Sequence, residues 1–190
     1  MVLGSHNSWS YLTPTKWWMK LIRFAGRCQD VDIKTQYEKY NVRCFDLRVR
    51  FDDEYVYICH GCIAYKYNTF QIGEDLKYLN DKKDCHVRVI LDIRNKKDLT
   101  DEQVSNFIWF CSNLTYGYKN IKFWCGKELA TWTTLFTFKE DPSCEENYSS
   151  VKPPKYDEIY PRHYAKKNNK DIIAKGTDKD ILLIDFVNIQ

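Results

Sequence analysis

The sequence predicts an α/β fold, arranged either as a parallel barrel or as a doubly wound sheet, and three observations carry that prediction. Apolar runs of strand length alternate with stretches of helical periodicity along the chain. A late run, ILLIDFV at 181–187, is apolar almost throughout, as a strand covered on both faces must be. The length of 190 residues allows one core and too little chain for two ordinary domains, so 1–190 is expected to be a single domain. A full eightfold barrel takes roughly 250 residues, and a barrel made from this chain would be a reduced or distorted TIM-type (β/α) one.

The elements follow in order. Met1 to Ser5 is a short apolar strand ending at His6. Pro14 to Ala25 (PTKWWMKLIRFA) starts with Pro and stops before Gly26, as a helix does. Ile33 to Tyr40 is a second helical stretch. Val42 to Phe51 is a strand, Asp52-Asp53-Glu54 a turn, and Tyr55 to His60 the returning strand. Ile72 to Leu79 has a helical pattern, Val87 to Ile93 (VRVILDI) is a buried strand, and Asp101 to Cys111 is a helix with Thr100 as its N-cap. Ile121 to Trp124 is a further strand. From Lys139 to Lys179 the charges, prolines and weak periodicity suggest long loops over a site. Ile181 to Val187 closes the series.

Composition excludes some partners. With 29 basic and 26 acidic residues the formal charge is only +3, which gives no footprint for nucleic acid. Six Trp and fourteen Tyr mark a chain that folds around a core. Eight cysteines stand at 28, 44, 59, 62, 85, 111, 125 and 144, and no apolar leader precedes the first strand, so reduced thiols and a cytoplasmic or peripheral membrane location are expected. The pair Cys59-His60-Gly61-Cys62 has no second pair at zinc-finger spacing. No run approaches the ~20 apolar residues that span a bilayer.

Two imidazoles, a carboxylate and a guanidinium lie within the first sixty residues: His6 in LGSHNS, Asp46 and Arg48 in CFDLRVRF, and His60 in YICHG. That is the equipment for general acid–base chemistry on a phosphate ester. Asp46 and Arg48 are two apart and share a strand face. A three-residue turn centred on Asp53 would bring position 60 opposite position 46, setting Asp46 beside His60; a slip of one residue would put His60 on the other face. The competing reading of this hairpin alone is a salt-bridged surface with an incidental histidine.

The order GSHNS, a gap holding a helix, RCFDLRVRF and then YICHG resembles the catalytic X-type domain of phosphatidylinositol-specific phospholipase C, in particular its bacterial metal-independent branch, with this chain a shortened member. The resemblance covers residues 1–95 and returns at ILLIDFV, whose Asp185 matches the acidic residue of the family's last barrel strand. It implies a phospholipase C-like phosphodiesterase fold. His6 would be general base on an inositol 2-hydroxyl, His60 the acid for the departing glycerol oxygen, Arg48 the phosphate ligand, Asp46 the group holding Arg48 or His60, and Asp185 the group fixing the His6 tautomer. The products would be diacylglycerol and inositol cyclic phosphate, a lyase step in lipid metabolism. The calcium-dependent branch has an acid where this chain has Arg48, so no metal and no other cofactor is expected. Asn7 departs from the metal-free branch, which has Asp there, and would hydrogen-bond His60 without supplying charge.

Residues 15–24, with Trp17, Trp18, Met19, Leu21, Ile22 and Phe24 between Lys16, Lys20 and Arg23, make an aromatic and basic helix suited to a membrane interface, or else core packing. Substrate contacts are expected from Asn7, Arg94, Lys122, Trp124 and Tyr160, with Arg162 nearby, while Asp92 and Arg94 also suit a structural ion pair. His86 and His163 are expected to be bystanders. The partners are then a phosphoinositide or other phosphodiester lipid and a membrane surface, met by a monomer. Two alternatives compete: a related barrel phosphodiesterase of the glycerophosphodiester or sphingomyelinase D kind, which would use a metal pair, and a catalytically inactive lipid-binding barrel.

Overall fold

In a computed structural model of the chain, the structure describes residues 1–52, 55–66, 69–93, 100–124, 127–129, 134–137, 150–152, 160–178 and 180–190. The order of elements is β1 (Val2–Ser5), α1 (Trp17–Leu21), α2 (Arg23–Gly26), α3 (Ile33–Tyr40), β2 (Cys44–Asp52), β3 (Tyr55–His60), β4 (Ile63–Ala64), α4 (Thr69–Lys82), β5 (His86–Ile93), α5 (Asp101–Gly117), β6 (Lys122–Trp124), β7 (Lys127–Leu129), β8 (Thr134–Thr137), β9 (Ser150–Lys152), α6 (Pro161–Ala174) and β10 (Asp180–Ile184).

The chain is α/β. Among the described residues six strands run parallel in the order β9, β10, β1, β2, β5, β6. Two antiparallel additions share their edges: β3 follows β1 along one edge of β2, and β8, paired with β7, follows β6 along one edge of β5. This mixed sheet is the frame that positions the site. The first and last strands lie side by side, Ser5 opposite Ile184, which is how residues at both ends of the sequence reach one place.

Local chemistry explains the elements. Asp32 caps α3 by accepting from the Thr35 N–H at 2.7 Å, and Asn41 ends it in the left-handed conformation, φ 56°. Along β2, Phe45, Leu47, Val49 and Phe51 enter the apolar core while Asp46 and Arg48 face the other way and are equally buried. A strand buried on both faces cannot carry charge without partners, so Asp46 and Arg48 must find them inside. On α5, capped by Thr100, the buried residues Phe107, Cys111 and Leu114 follow helical spacing, and Phe51 packs edge-on against Phe107 and Phe110.

Two expectations are corrected. The helix expected over 14–25 begins at Trp17 and breaks at Ile22, because Pro14 and its neighbours are drawn into a bridge with Tyr65: Thr15 N donates to Ala64 O and Lys66 N to Thr13 O. Within the stretch expected as loops, 161–174 is the helix α6. Pro161 stands in its first turn and it buries Tyr164, Ala165 and Asn169, an interior too polar to register as an apolar stripe. The expected contribution of Asp53 to the hairpin turn lies outside the described residues. No helix among the described residues is long and apolar enough to cross a membrane.

Candidate active site

β1 ends at Ser5, and the chain turns through Asn7 with φ 43°. Small hydroxyl residues on either side make the turn possible. Ser8 Oγ donates to Ser5 O at 2.8 Å and accepts from Asp46 N at 2.7 Å, and Ser8 N donates to Asp46 O. The loop carrying His6 is therefore tied to the row of Asp46 on β2. On its other side His6 N donates to Ile184 O. The buried Gln29 spans the gap: its Nε2 donates to both His6 O and Ile184 O, and its Oε1 accepts from Val187 N. Asn169 of α6 donates to Asp185 O. Gln29 and Asn169 belong to no motif, and sequence reasoning missed both.

The side chains form a chain of contacts. Asp185 Oδ1 is 2.8 Å from His6 Nδ1, and Arg48 Nη2 is 2.7 Å from His6 Nε2. A guanidinium only donates, so Nε2 accepts and the proton sits on Nδ1, where Asp185 receives it. Arg48 Nε donates to Asp46 Oδ2 at 2.9 Å, and the same oxygen accepts the Asn7 N–H at 3.0 Å. Arg88 of β5, another residue the sequence reading passed over, brings its Nη1 to 3.8 Å from Asp46 Oδ1. An arginine inside VRVILDI was the available signal. Burial pushes the Asp46 carboxyl up, but Arg48, Arg88, His6 and the Asn7 N–H outweigh it and hold it at about 2. Arg48 is held firmly charged: burial opposes the charge, and Asp46 and Asp92 more than offset that.

His60 meets His6 edge to face, with ring centroids 5.6 Å apart. Gly61 follows with φ 55°, a conformation suited to glycine. Asp92 of β5 accepts the Gly61 N–H at 3.0 Å, and Arg50 spans from Gly61 O at 2.7 Å to Asp92 O at 2.9 Å. His60 itself is half-buried. Burial, then Arg48 and His6, push its imidazolium down to about 4, against the opposite pull of Asp92 and Asp185.

The route by which His60 arrives differs from the expected hairpin. Asp52 pairs with Tyr55 and Val49 with Ile58, one residue out of the register centred on Asp53. Continued, that ladder would set His60 opposite Leu47, on the core face. It does not continue: beyond Ile58 the strand leaves β2 and pairs with β4, Cys59 to Ala64 and His60 to Ile63. His60 thus joins His6 and Arg48, while the acids acting on it are Asp92 and Asp185 rather than Asp46.

The other expected residues scatter. Asn7 is buried and its side-chain amide has no hydrogen-bond partner among the described residues, so it does not hold His60. Lys122 is exposed at the start of β6, level with His86 and Cys44, two rows from Asp46 and at the end of the sheet away from His6. Trp124 aligns through Arg88 with the row of Asp46. Arg94 lies outside the described residues. Tyr160 is the residue before α6, 50% exposed, with its ring 5.4 Å from that of Phe24. Arg162 pairs with Asp30 and covers the Phe186 ring. Trp17 and Trp18 are both outward, 74% and 37% exposed, and Met19 between them is buried. Arg23, expected at that interface, instead donates to Tyr11 O and Leu12 O.

One group of metal-ligating side chains occurs among the described residues. Cys28, His6 and Asp185 are all buried, and one ligand atom of each lies within 4.8 Å of the others.

No protein-family model matches the chain, and no curated protein matches it in sequence. Solved structures do. A phosphatidylinositol-specific phospholipase C from Listeria monocytogenes superposes with a TM-score of 0.59 at 14% identity, covering 97% of this chain and 87% of that one. A phosphatidylinositol-specific phospholipase C of S. aureus, from work on modulation of its membrane binding, superposes with a TM-score of 0.57 at 15% identity over 97% and 85% of the two chains. At that identity the likeness is one of fold, and the fold is that of these enzymes.

Proposed function

We propose that this chain is a phosphodiesterase of the phospholipase C type that cleaves phosphatidylinositol-like lipids at a membrane surface, acting as a single domain over 1–190 with its sheet a reduced barrel. The observation that carries the reading is the contact chain Asp185, His6, Arg48, with the His60 ring edge to face with that of His6. It offers a base of fixed tautomer, a phosphate-binding cation and a second proton carrier within one side-chain length.

In the resting site Arg48 covers the lone pair that His6 needs. An incoming phosphodiester competes for that guanidinium, whose fork suits two phosphate oxygens. Once Arg48 turns to the phosphate, Nε2 is free to take the proton of the adjacent hydroxyl. The hydroxyl oxygen bonds to phosphorus, the bond from phosphorus to the glycerol oxygen breaks, and His60 gives its proton to that oxygen. Asp185 stabilises the imidazolium formed on His6. The negative phosphate next to His60 favours its charged form, supplying what Asn7 lacks. A guanidinium at position 48 does the work of a cation, so metal independence belongs to the proposal. Trp17, Trp18, Leu21 and Phe24, all exposed, with Lys16 and Lys20 among them, would rest in the lipid interface.

Phosphorus NMR of phosphatidylinositol vesicles digested in the presence of a chelator tests the reading. A cyclic inositol phosphate signal is expected. Cleavage only with added divalent cation would favour the metal-pair phosphodiesterases, and vesicle binding without cleavage would favour an inactive lipid-binding domain.

A further inference from the structure

We propose that His6, Cys28 and Asp185 form a zinc-binding site and that zinc bound there switches off the base. The inhibitory consequence rests on the reading of His6 given above; the binding itself does not.

The ligand atoms of the three residues already lie within 4.8 Å of one another, in a buried cluster. A tetrahedral zinc with bonds of roughly 2.0–2.3 Å sets its donors about 3.5 Å apart, so the widest separation must shrink by little more than about 1 Å. His6 and Asp185, 2.8 Å apart, need only open slightly. The main chain of Cys28 is anchored on both sides, its N–H donating to Ser10 Oγ at 2.9 Å and its carbonyl accepting from Phe186 N. The second bond ties it to the residue after Asp185, so the sulfur and the carboxylate come from one rigid frame.

Donor chemistry names the metal. A thiolate, an imidazole and a carboxylate suit a borderline-soft ion and poorly suit calcium or magnesium, which prefer oxygen. The thiolate and carboxylate together carry two negative charges, which balance the two positive charges of zinc. Three protein ligands leave one position for water. No step of the proposed reaction uses Cys28. On binding, the thiol proton leaves for solvent. Bound at Nδ1, the metal takes the place of the proton held toward Asp185, and that proton moves to Nε2, where it fills the lone pair that would accept the substrate proton; bound at Nε2, the metal takes that lone pair itself. Either mode removes the base.

The test uses the full chain with its thiols reduced, and Co2+ and Zn2+ as probes. Cobalt is expected to give a thiolate-to-metal charge-transfer band that zinc displaces. Cys28→Ser should lose the band, and Cys62→Ser, at an exposed thiol, should keep it. Zinc should inhibit phosphatidylinositol cleavage reversibly. Cys28→Ser should keep its basal rate and need at least about tenfold more zinc for the same inhibition. Should Cys28→Ser not fold, zinc-edge X-ray absorption of the unaltered protein decides: one sulfur at roughly 2.3 Å among nitrogen and oxygen donors is expected. A band that survives Cys28→Ser, two or more sulfurs at zinc, or no bound metal overturns the site. A Cys28-dependent band in a protein that cleaves nothing would leave the zinc site standing and sink the functional reading instead.

Discussion

The two histidines sit in unlike surroundings. His6 is fastened by its main chain, by both ring nitrogens and by the Gln29 amide between β1 and β10. His60 is held mainly through the turn after it, where Asp92 and Arg50 grip Gly61, and its half-buried ring is under the field of the Arg48 guanidinium. The contrast suits the two tasks proposed for them. A base must present one lone pair in one direction, whereas an acid must change charge as the substrate arrives.

The largest effect separates the two roles. His6→Ala and His60→Ala are each expected to lower cleavage of phosphatidylinositol by roughly 10²–10⁴-fold. With a nitrophenol leaving group, which departs without a proton, His60→Ala should recover most of its rate and His6→Ala should not. Equal recovery of both would break the assignment. An intermediate effect concerns Arg48. Burial, Arg48 and His6 all disfavour a charged His60, so its proton should titrate near about 4 in the free protein, as followed by histidine NMR. Removing the Arg48 charge in Arg48→Gln, or adding a bound inositol phosphate, should move that midpoint up, while the substitution costs roughly 10²–10³ in kcat. An unmoved midpoint would show that Arg48 does not set the acid. The smallest effect touches the outer support of the His6 loop. Trp9 Nε1 and Tyr11 OH donate to Asp75, whose carboxyl burial raises to about 6. A carboxyl raised on folding contributes stability below about pH 4 that is lost as pH rises through about 6. Asp75→Asn should therefore gain about 1–2 kcal/mol on the unaltered protein across that interval in urea melts, discounted for partial exposure.

The sequence was legible where chemistry is local. The span of α3 followed from Ile33 to Tyr40 and the presence of a last strand from ILLIDFV, because caps and apolar runs are written in adjacent residues; that strand runs over Asp180–Ile184 and not to Val187, because the chain turns at Phe186 with φ 46°, so Asp185 follows the strand. His6, Asp46, Arg48, His60 and Asp185 were named from short motifs, and the parallel pairing of β1 with β10 is what unites the first and last of them. What stayed hidden depends on distant partners. The helix of 161–174 has too polar an interior to show its period. The register at 52–55 turned on one residue, and the departure of β3 from β2 left no local mark. Gln29, Asn169 and Cys28 act through backbone groups and a sulfur that acquire meaning only when β10 lies beside them.

The partnership of His6 with Asp185 joins residues 179 positions apart. Closing so long a loop is among the entropically dearest contacts a chain of this size makes, and such contacts form late. In a refolding time course, apolar collapse and helix signals should precede any catalytic power, which would appear only with the slowest phase. Turnover would then serve as a gauge of completed folding, silent in every partly folded form.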